Sequence, residues 1–147
     1  GDVIVLANKG SLSRSLCGEI MSNYAKSRGL AGIIIDGCVR DSAALRELDF
    51  PVYAKGVTPN GPYKNGPGEM NFPVSFAGII INPGDIIVGD ADGLLVIRPE
   101  DAEELAKKAK AWHDSEEKQL EGILTKGEWV RPWVDDKLKE VGFEFVD

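Results

Sequence analysis

Short apolar runs alternate with helical spacing in the first part of the chain. Val3–Leu6 and Ala31–Ile35 are apolar runs typical of strands buried on both faces. A polar turn is predicted over Asn8–Ser13, and the apolar spacing from Ile20 to Ala25 predicts a helix that ends near Arg28. A strand, a helix and a second buried strand predict a parallel βαβ unit, and therefore an α/β fold.

The middle of the chain changes from helical to strand-like patterning. A helix is predicted over Ser42–Leu48, with Ser42 as its N-cap, and a strand over Pro51–Ala54. The segment Thr58–Gly68 holds three glycines, three prolines and two asparagines, which predicts an ordered loop. Short strands joined by turns are predicted over residues 73–76, 78–81, 85–88 and 94–97.

The last third of the chain is helical and highly charged. A long helix is predicted to open at Pro99, with acidic residues in its first turn, and a short helix is predicted to end at Gly142. The sparse apolar stripe of the long helix fits packing on another subunit, and equally an ordinary amphipathic surface helix. We expect a single domain, with an α/β core over residues 1–98 and a helical extension over residues 99–147.

Composition excludes several classes of function. The chain has 147 residues, and 24 acidic against 17 basic side chains give a formal charge of −7, which argues against nucleic-acid binding. One histidine and two cysteines cannot build a tetrahedral zinc site without carboxylates. No run is long enough to span a membrane, and two cysteines in apolar or glycine-rich stretches predict free thiols, so a cytoplasmic protein is expected.

The strongest candidate for chemistry follows the second predicted strand. Ile35 is followed by a predicted glycine turn and then by the adjacent charges of Arg40 and Asp41, at the kind of position where open α/β sheets bind ligands. Arg40 offers a planar fork for a carboxylate, and Asp41 a hard oxygen for magnesium or manganese. The alternative is a loop ion pair that caps the next helix.

A second candidate lies at the start of the first helix. Free backbone amides there can bind an anionic oxygen, and Gly18 permits close approach of a ligand. Glu19 could supply a second carboxylate, or it could be an acidic residue favoured by the helix dipole. Lys9, Lys55 and Lys64 lie in or beside polar turns and are expected to be solvated.

The Gly-acid pair, twenty intervening residues and an Arg-Asp pair together resemble the 4-hydroxy-4-methyl-2-oxoglutarate aldolase family, which is related to the regulators of ribonuclease E activity. Further matching segments are Gly1-Asp2-Val3, Ile34–Asp41, Phe50–Ala54, Asn82–Asp85, Asp90–Gly93 and Gly142–Asp147. The resemblance implies a layered β/β/α fold of the swivelling-domain type. Members carry a helical N-terminal portion before the strand that begins here at Gly1, so we expect this chain to be a fragment or a split chain.

The resemblance also implies roles for individual residues. Arg40 would bind the substrate, Asp41 would be the metal ligand, and Glu19, where the family often has aspartate, would contact water at the metal. The backbone amides of the segment Gly18, Glu19, Ile20 and Met21 would hold the oxygens of the 2-oxo acid. Glu116 on the long helix would reach the site of a neighbouring subunit in a homotrimer or a dimer of trimers.

The implied activity is that of a class II aldolase, a lyase of aromatic compound catabolism that uses Mg2+ or Mn2+. It would cleave a 4-hydroxy-2-oxo acid, such as 4-hydroxy-4-methyl-2-oxoglutarate or 4-carboxy-4-hydroxy-2-oxoadipate, to pyruvate and a second oxo acid. Oxaloacetate decarboxylation would accompany it, since both reactions pass through the same enolate. The regulator branch lacks the aspartate after the arginine, so Asp41 favours the aldolase branch. The alternatives are a non-catalytic protein-binding module and an enzyme of other chemistry on the same scaffold.

Overall fold

The computed structural model describes residues 1–144, so the last three residues of the family-like C-terminal segment lie outside the described residues. Two compact units are present, with the boundary after Pro99. The first unit contains β1 (Val3–Cys17), α1 (Glu19–Ser27), β2 (Gly32–Val39), α2 (Ser42–Glu47), β3 (Val52–Val57), β4 (Val74–Phe76), β5 (Ile79–Ile81), β6 (Ile86–Gly89) and β7 (Leu94–Ile97). The second unit contains α3 (Ala102–Lys126) and α4 (Pro132–Glu140), and a short 3-10 turn at Pro99–Asp101 precedes α3.

The first three strands form a parallel sheet in the order β1-β2-β3. Its register aligns Val3 with Gly32 and Ile33 with Val52. Because α1 and α2 connect consecutive parallel strands, two βαβ units follow one another along the chain. The predicted α/β fold with βαβ units and a C-terminal helical extension is confirmed.

The first strand is much longer than its sequence pattern indicates. The polar segment predicted as a turn lies inside β1, where Lys9 and Gly10 have positive φ values of 52° and 69°. The pairing with β2 shifts register after Ala7, after Ser11 and again after Ser15. The polar residues and the glycine therefore mark bulges in a continuing strand. The local sequence pattern alone does not distinguish such bulges from a turn.

The second strand also extends past its predicted end. Asp36-Gly37 was expected to form a turn, but β2 continues to Val39 and all eight of its residues are buried. The Asp36 side chain is 5% exposed, and its Oδ2 accepts a hydrogen bond of 2.9 Å from the Gly10 amide. Its Oδ1 lies 2.5 Å from Nζ of Lys55, so the two side chains form an ion pair. Lys55 is exposed, as expected for a solvated lysine, but it is also paired with a buried acid, which the sequence did not indicate.

The core lies between the sheet and its two helices. Ile33, Ile35 and Val39 of β2 pack with Ala25 of α1 and with a group of three further buried residues from β1, from α2 and from the segment before β3. That group comprises Cys17, Leu45 and Phe50. Full burial of a side chain the size of Ile35 is worth about 1.5–3 kcal/mol, so this layer makes a large contribution to the stability of the first unit.

The predicted short strands form two separate antiparallel hairpins, β4-β5 and β6-β7. Residues 58–73 contain no helix or strand, in agreement with the predicted loop. The predicted turn before β6 is closed by the Asn82 amide, which donates to Oδ2 of Asp85 at 2.8 Å. Tyr53 on β3 donates to the carbonyl of Asp90 at 2.8 Å and ties the second hairpin to the sheet.

The second unit is helical and largely exposed. The 25-residue helix α3 ends where Gly127 adopts the left-handed conformation, and its side-chain ion pairs include Lys107 with Glu103 and Lys110 with Asp114. Pro132 opens α4, as proline can at a first helical turn. None of the helices in residues 1–144 combines the length and the apolar composition that a membrane span requires.

The pair of Asp36 and Lys55 yields a stability prediction. Replacing Lys55 with Met leaves a buried carboxylate supported by the Gly10 amide alone, so we expect the first unit to lose about 1–3 kcal/mol of unfolding free energy. Native-state hydrogen exchange of the β2 amides is the suitable probe. All three tryptophans lie in the second unit, so their fluorescence would not report this loss.

The matched control is Lys64→Met, which removes an exposed lysine from the loop. Adding Asp36→Asn to Lys55→Met removes the unpaired charge and should restore part of the lost protection. Equal protection of β2 in the Lys55→Met and Lys64→Met proteins would show that the ion pair contributes nothing.

Candidate functional site

The carboxyl ends of the three parallel strands are held side by side by backbone hydrogen bonds. The Arg40 amide donates to the carbonyl of Cys17 at 3.0 Å, and the Thr58 amide donates to the carbonyl of Val39 at 3.0 Å. Each strand therefore delivers its following loop to the same edge of the sheet. This edge is where open parallel sheets bind ligands, because the connections diverge there and leave a crevice.

Asp41 has an unusual backbone and an unexpected partner. Its φ of 56° and ψ of 37° place it in the left-handed region, directly before α2. Its side chain does not cap α2; instead, Oδ2 accepts a hydrogen bond of 3.1 Å from the amide of Glu19, the first residue of α1. The prediction of Ser42 as N-cap is wrong, since Ser42 is already helical and Asp41 holds the cap position.

Arg40 lies beside Asp41 in a weak, solvent-accessible ion pair. Its Nε is 3.5 Å from Oδ2 of Asp41, and the two side chains are 44% and 41% exposed. An ion pair of this length and exposure contributes little to stability. The guanidinium therefore keeps most of its donors for an incoming anion.

Gly18 allows the two connections to approach each other. A β-carbon at this position would lie 2.8 Å from Cγ of Arg40 and still closer to Oδ2 of Asp41. Its φ of −156° is extended, so contact distance and not backbone conformation requires glycine here. Gly18 and Glu19 are thus brought together with Arg40 and Asp41, from segments far apart in sequence.

The start of α1 supplies further donors. The first intrahelical bond runs from the Ser22 amide to the carbonyl of Gly18, which leaves the amides of Glu19, Ile20 and Met21 without helical acceptors. The Glu19 amide is occupied by Asp41, whereas those of Ile20 and Met21 have no acceptor within the described part of the chain. The Ile20 and Met21 side chains are 80% and 53% exposed, so this helix end faces open space.

Glu116 belongs to the second unit, on α3. Its Oε1 accepts a hydrogen bond of 2.6 Å from the indole nitrogen of Trp112, one helical turn earlier. The side chain is exposed. Its contribution to the site of a neighbouring subunit stays a prediction.

The donor set fits a hard divalent cation better than zinc. Nowhere in residues 1–144 do three histidine, cysteine, aspartate or glutamate side chains gather in a group that could hold a metal. Asp41 is a half-exposed carboxylate with Oδ1 free of protein hydrogen bonds in the described structure. Magnesium and manganese can bind through one or two carboxylates, with water and ligand oxygens completing the shell.

One group of contacts at this edge has no counterpart in the sequence prediction. Nη1 of Arg14 donates to the carbonyl of Gly61 at 2.8 Å, and its guanidinium stacks 3.9 Å from the ring centre of Tyr63. The Asn60 carbonyl accepts from both the amide and the hydroxyl of Ser15, each at 2.9 Å. These pairs are 45 to 49 residues apart, so periodicity carries no signal for them.

The left-handed Asp41 backbone yields a second prediction. Alanine there loses the hydrogen bond to Glu19 and strains a conformation that Asn and Asp tolerate, so Asp41→Ala should destabilise the first unit by about 1–2 kcal/mol. Asp41→Asn keeps an oxygen acceptor and should change stability by less than about 0.5 kcal/mol. Hydrogen exchange of β2 and of the Glu19 amide measures both. Equal losses in the two variants would contradict this account.

Comparison with known proteins places the chain in a family. A family model described as RraA-like, Aldolase/RraA, matches residues 1–96. A Halalkalibacterium halodurans protein named "Putative 4-hydroxy-4-methyl-2-oxoglutarate aldolase" is 38% identical over 135 residues, which cover 92% of this chain and 64% of that protein.

Two solved structures show the same fold. An uncharacterized protein from Pseudomonas syringae superposes with a TM-score of 0.81 at 30% identity, covering 86% of this chain and 64% of that one. Streptomyces coelicolor RraAS2, described as an unusual member of the RNase ES inhibitor RraA family, gives a TM-score of 0.74 at 34% identity, covering 80% and 60%. The chain spans about three fifths of the length of these relatives. By the family model and by its fold, this chain belongs to the RraA-like, Aldolase/RraA family.

Proposed function

We propose that this chain is a divalent-metal-dependent lyase that cleaves 4-hydroxy-2-oxo acids to pyruvate and a second oxo acid. The observation that carries the proposal is the meeting of Arg40 and Asp41 with the start of α1 at the carboxyl edge of the sheet. A guanidinium and free backbone amides can bind the oxygens of a 2-oxo acid, and a carboxylate oxygen can bind a hard divalent ion. The relative named as an aldolase supports the same assignment.

Arg40 binds the C1 carboxylate of the substrate in this proposal. Its planar guanidinium can form two parallel hydrogen bonds to a carboxylate, and its weak pairing with Asp41 leaves it available. The free amides of Ile20 and Met21 provide neutral donors for substrate oxygens at the same edge. Together they orient the 2-oxo acid end and leave the remainder of the substrate towards solvent.

Asp41 would hold Mg2+ or Mn2+. When bound, such an ion acts as a Lewis acid that stabilises negative charge developing on the C2 oxygen. Asp41 is itself oriented by the Glu19 amide, which fixes Oδ2 and leaves Oδ1 free. The protein thereby directs one carboxylate oxygen outward with little freedom to turn away.

The bond changes define the work of the acidic residues. The C4 hydroxyl gives up its proton, the C3–C4 bond breaks, C4 becomes a carbonyl, and the electron pair remains as the enolate of pyruvate, which is then protonated at C3. In oxaloacetate the same bond breaks with loss of carbon dioxide. Glu19, exposed at the start of α1, and Glu116 of a neighbouring subunit are the proposed carriers of the proton from the C4 hydroxyl.

The assembly proposed is a homotrimer or a dimer of trimers, in which Glu116 of one subunit would serve the site of the next. Asp41, Glu19 and Arg40 come from one chain, while the shared residue would come from the next. A cytoplasmic location is also proposed, in line with the free, buried thiols of Cys17 and Cys38.

Activity with and without metal tests the central proposal. The purified chain should release pyruvate from oxaloacetate and from 4-hydroxy-4-methyl-2-oxoglutarate with Mg2+ present, and EDTA should abolish the release. Asp41→Asn should lower kcat/KM on the order of 100-fold without unfolding the protein, because it removes charge but keeps the backbone. A lactate dehydrogenase-coupled assay measures the pyruvate.

The control is Asp49→Asn. Asp49 is an exposed aspartate that also has a positive φ, of 48°, so the same chemical change is made in a comparable backbone away from the site. Activity that survived both EDTA and Asp41→Asn would refute the metal-dependent mechanism. A chain that released no pyruvate but bound a ribonuclease would instead support the protein-binding alternative, which RraAS2 represents among the fold relatives.

Subunit mixing tests the role of Glu116. Arg40→Ala and Glu116→Gln should each be nearly inactive alone. If sites are shared, unfolding and refolding the two variants together should restore activity to about one quarter of the sites by random assembly. The control mixes Arg40→Ala with Asp41→Asn, which lie on the same chain and cannot complement in this way. Equal results in the two mixtures would contradict a shared site.

A further inference from the structure

We propose that Arg14 is a positioning residue that fixes the anchored loop, defined as residues 58–63, against the guanidinium of Arg40. The anchored loop follows β3 and crosses to the carboxyl-terminal half of β1. The inference concerns a residue outside the Arg40 and Asp41 pair. Its effect on substrate binding rests on the proposed function, whereas its effect on the loop does not.

The attachment of the loop to β1 is made by three consecutive residues of the strand. The carbonyl of Ser13 accepts from Nδ2 of Asn60 at 3.2 Å, and Ser15 donates twice to the Asn60 carbonyl. Between them, Arg14 reaches further along the loop, to the Gly61 carbonyl and the Tyr63 ring. Of these strand residues, Arg14 is the one that holds the far end of the loop.

The same loop residue that Arg14 holds also borders Arg40. A β-carbon on Gly61 would lie 3.2 Å from Nη1 of Arg40, which is close contact for a side chain there. Gly61 thus stands between two guanidinium groups, with its carbonyl hydrogen-bonded to Arg14 and its α-carbon beside Arg40. The position of the loop therefore limits where the Arg40 guanidinium can lie.

Arginine suits this position because it does two things at once. Its planar fork donates an in-plane hydrogen bond while its face stacks on an aromatic ring, which a lysine cannot reproduce. Arg14 is half-buried and Tyr63 is exposed, so the stack lies at the surface of the unit. Without Arg14, Asn60 would remain attached but Gly61 and Tyr63 would lose their contacts to β1.

The consequence for catalysis is specific. A freer Gly61 allows the Arg40 side chain more conformations, and the cost of ordering them is paid when a carboxylate binds. Because Arg40 contacts the carboxylate equally before and during bond cleavage, the loss should raise KM and leave kcat nearly unchanged. A general loss of folding would instead lower the melting temperature and the apparent kcat together.

The experiment compares Arg14→Ala, Arg14→Lys and Tyr63→Phe with the control Arg28→Ala, which removes an exposed arginine at the end of α1. The first measurement is the rate at which a lysine-specific protease cuts after Lys64, next to the anchored loop, read from the fragment that ends at Lys64. Changing Arg14 or Arg28 to Ala leaves the cleavage sites intact, and in Arg14→Lys any cut at the added lysine is read as a separate fragment. The second is the rate at which phenylglyoxal modifies Arg40, read from the Arg40 peptide by mass spectrometry. The third is KM and kcat for oxaloacetate with Mg2+.

Arg14→Ala should speed cleavage after Lys64 about 5-fold, speed modification of Arg40 about 3-fold, and raise KM about 10-fold with kcat within 2-fold of wild type. Arg14→Lys should restore part of each effect, and Tyr63→Phe, which keeps the ring, should match wild type. Cleavage and modification rates equal to those of Arg28→Ala would overturn the proposal. So would a loosened loop with unchanged Arg40 reactivity and KM, or a parallel fall in melting temperature and kcat.

A wild-type chain without turnover would refute the proposed function alone. The protease and phenylglyoxal rates need no substrate, so they would still decide whether Arg14 holds the loop against Arg40.

Discussion

The burial of β2 on both faces is the constraint on which the rest of this unit depends. Eight consecutive buried residues leave no room for an accessible charge until the strand ends, so Arg40 is the first residue that can meet solvent. The exception inside the strand, Asp36, is tolerated because Gly10 and Lys55 converge on it from the two neighbouring strands. The burial of β2 therefore determines both how the core packs and where the candidate site lies.

The sequence allowed prediction of those parts of the fold that arise from local pattern. The helical spacing before Arg28 and the glycine- and proline-rich loop after β3 are encoded within a few residues, and both were predicted correctly. The sequence pattern did not predict that β1 extends through Lys9 and Gly10, or that β2 extends through Gly37. The residue types in these segments favour turns, but pairing with neighbouring strands outweighs that preference, because buried backbone amides need hydrogen-bond partners.

In the candidate site too, the sequence indicated some of the residues but not the contacts between them. Arg40, Asp41, Gly18 and Glu19 could be selected from the sequence because each follows the end of a predicted strand or begins a helix. The sequence could not show that the Asp41 carboxylate caps α1 and not α2, since this depends on the left-handed backbone of one residue. The contacts of Arg14 with the anchored loop were also out of reach, because they join residues from β1 to a loop that lacks any repeating pattern.

The left-handed conformation of Asp41 has a consequence for how such a chain can diverge. Few residue types occupy this conformation at low cost, and Asn and Gly are the chief ones besides Asp. Exchange of Asp41 for Asn can therefore remove the charge while the backbone, the oxygen that accepts from the Glu19 amide and the core stay in place. A single codon change can therefore remove the negative charge at this edge of the sheet, and selection on folding alone would not oppose it.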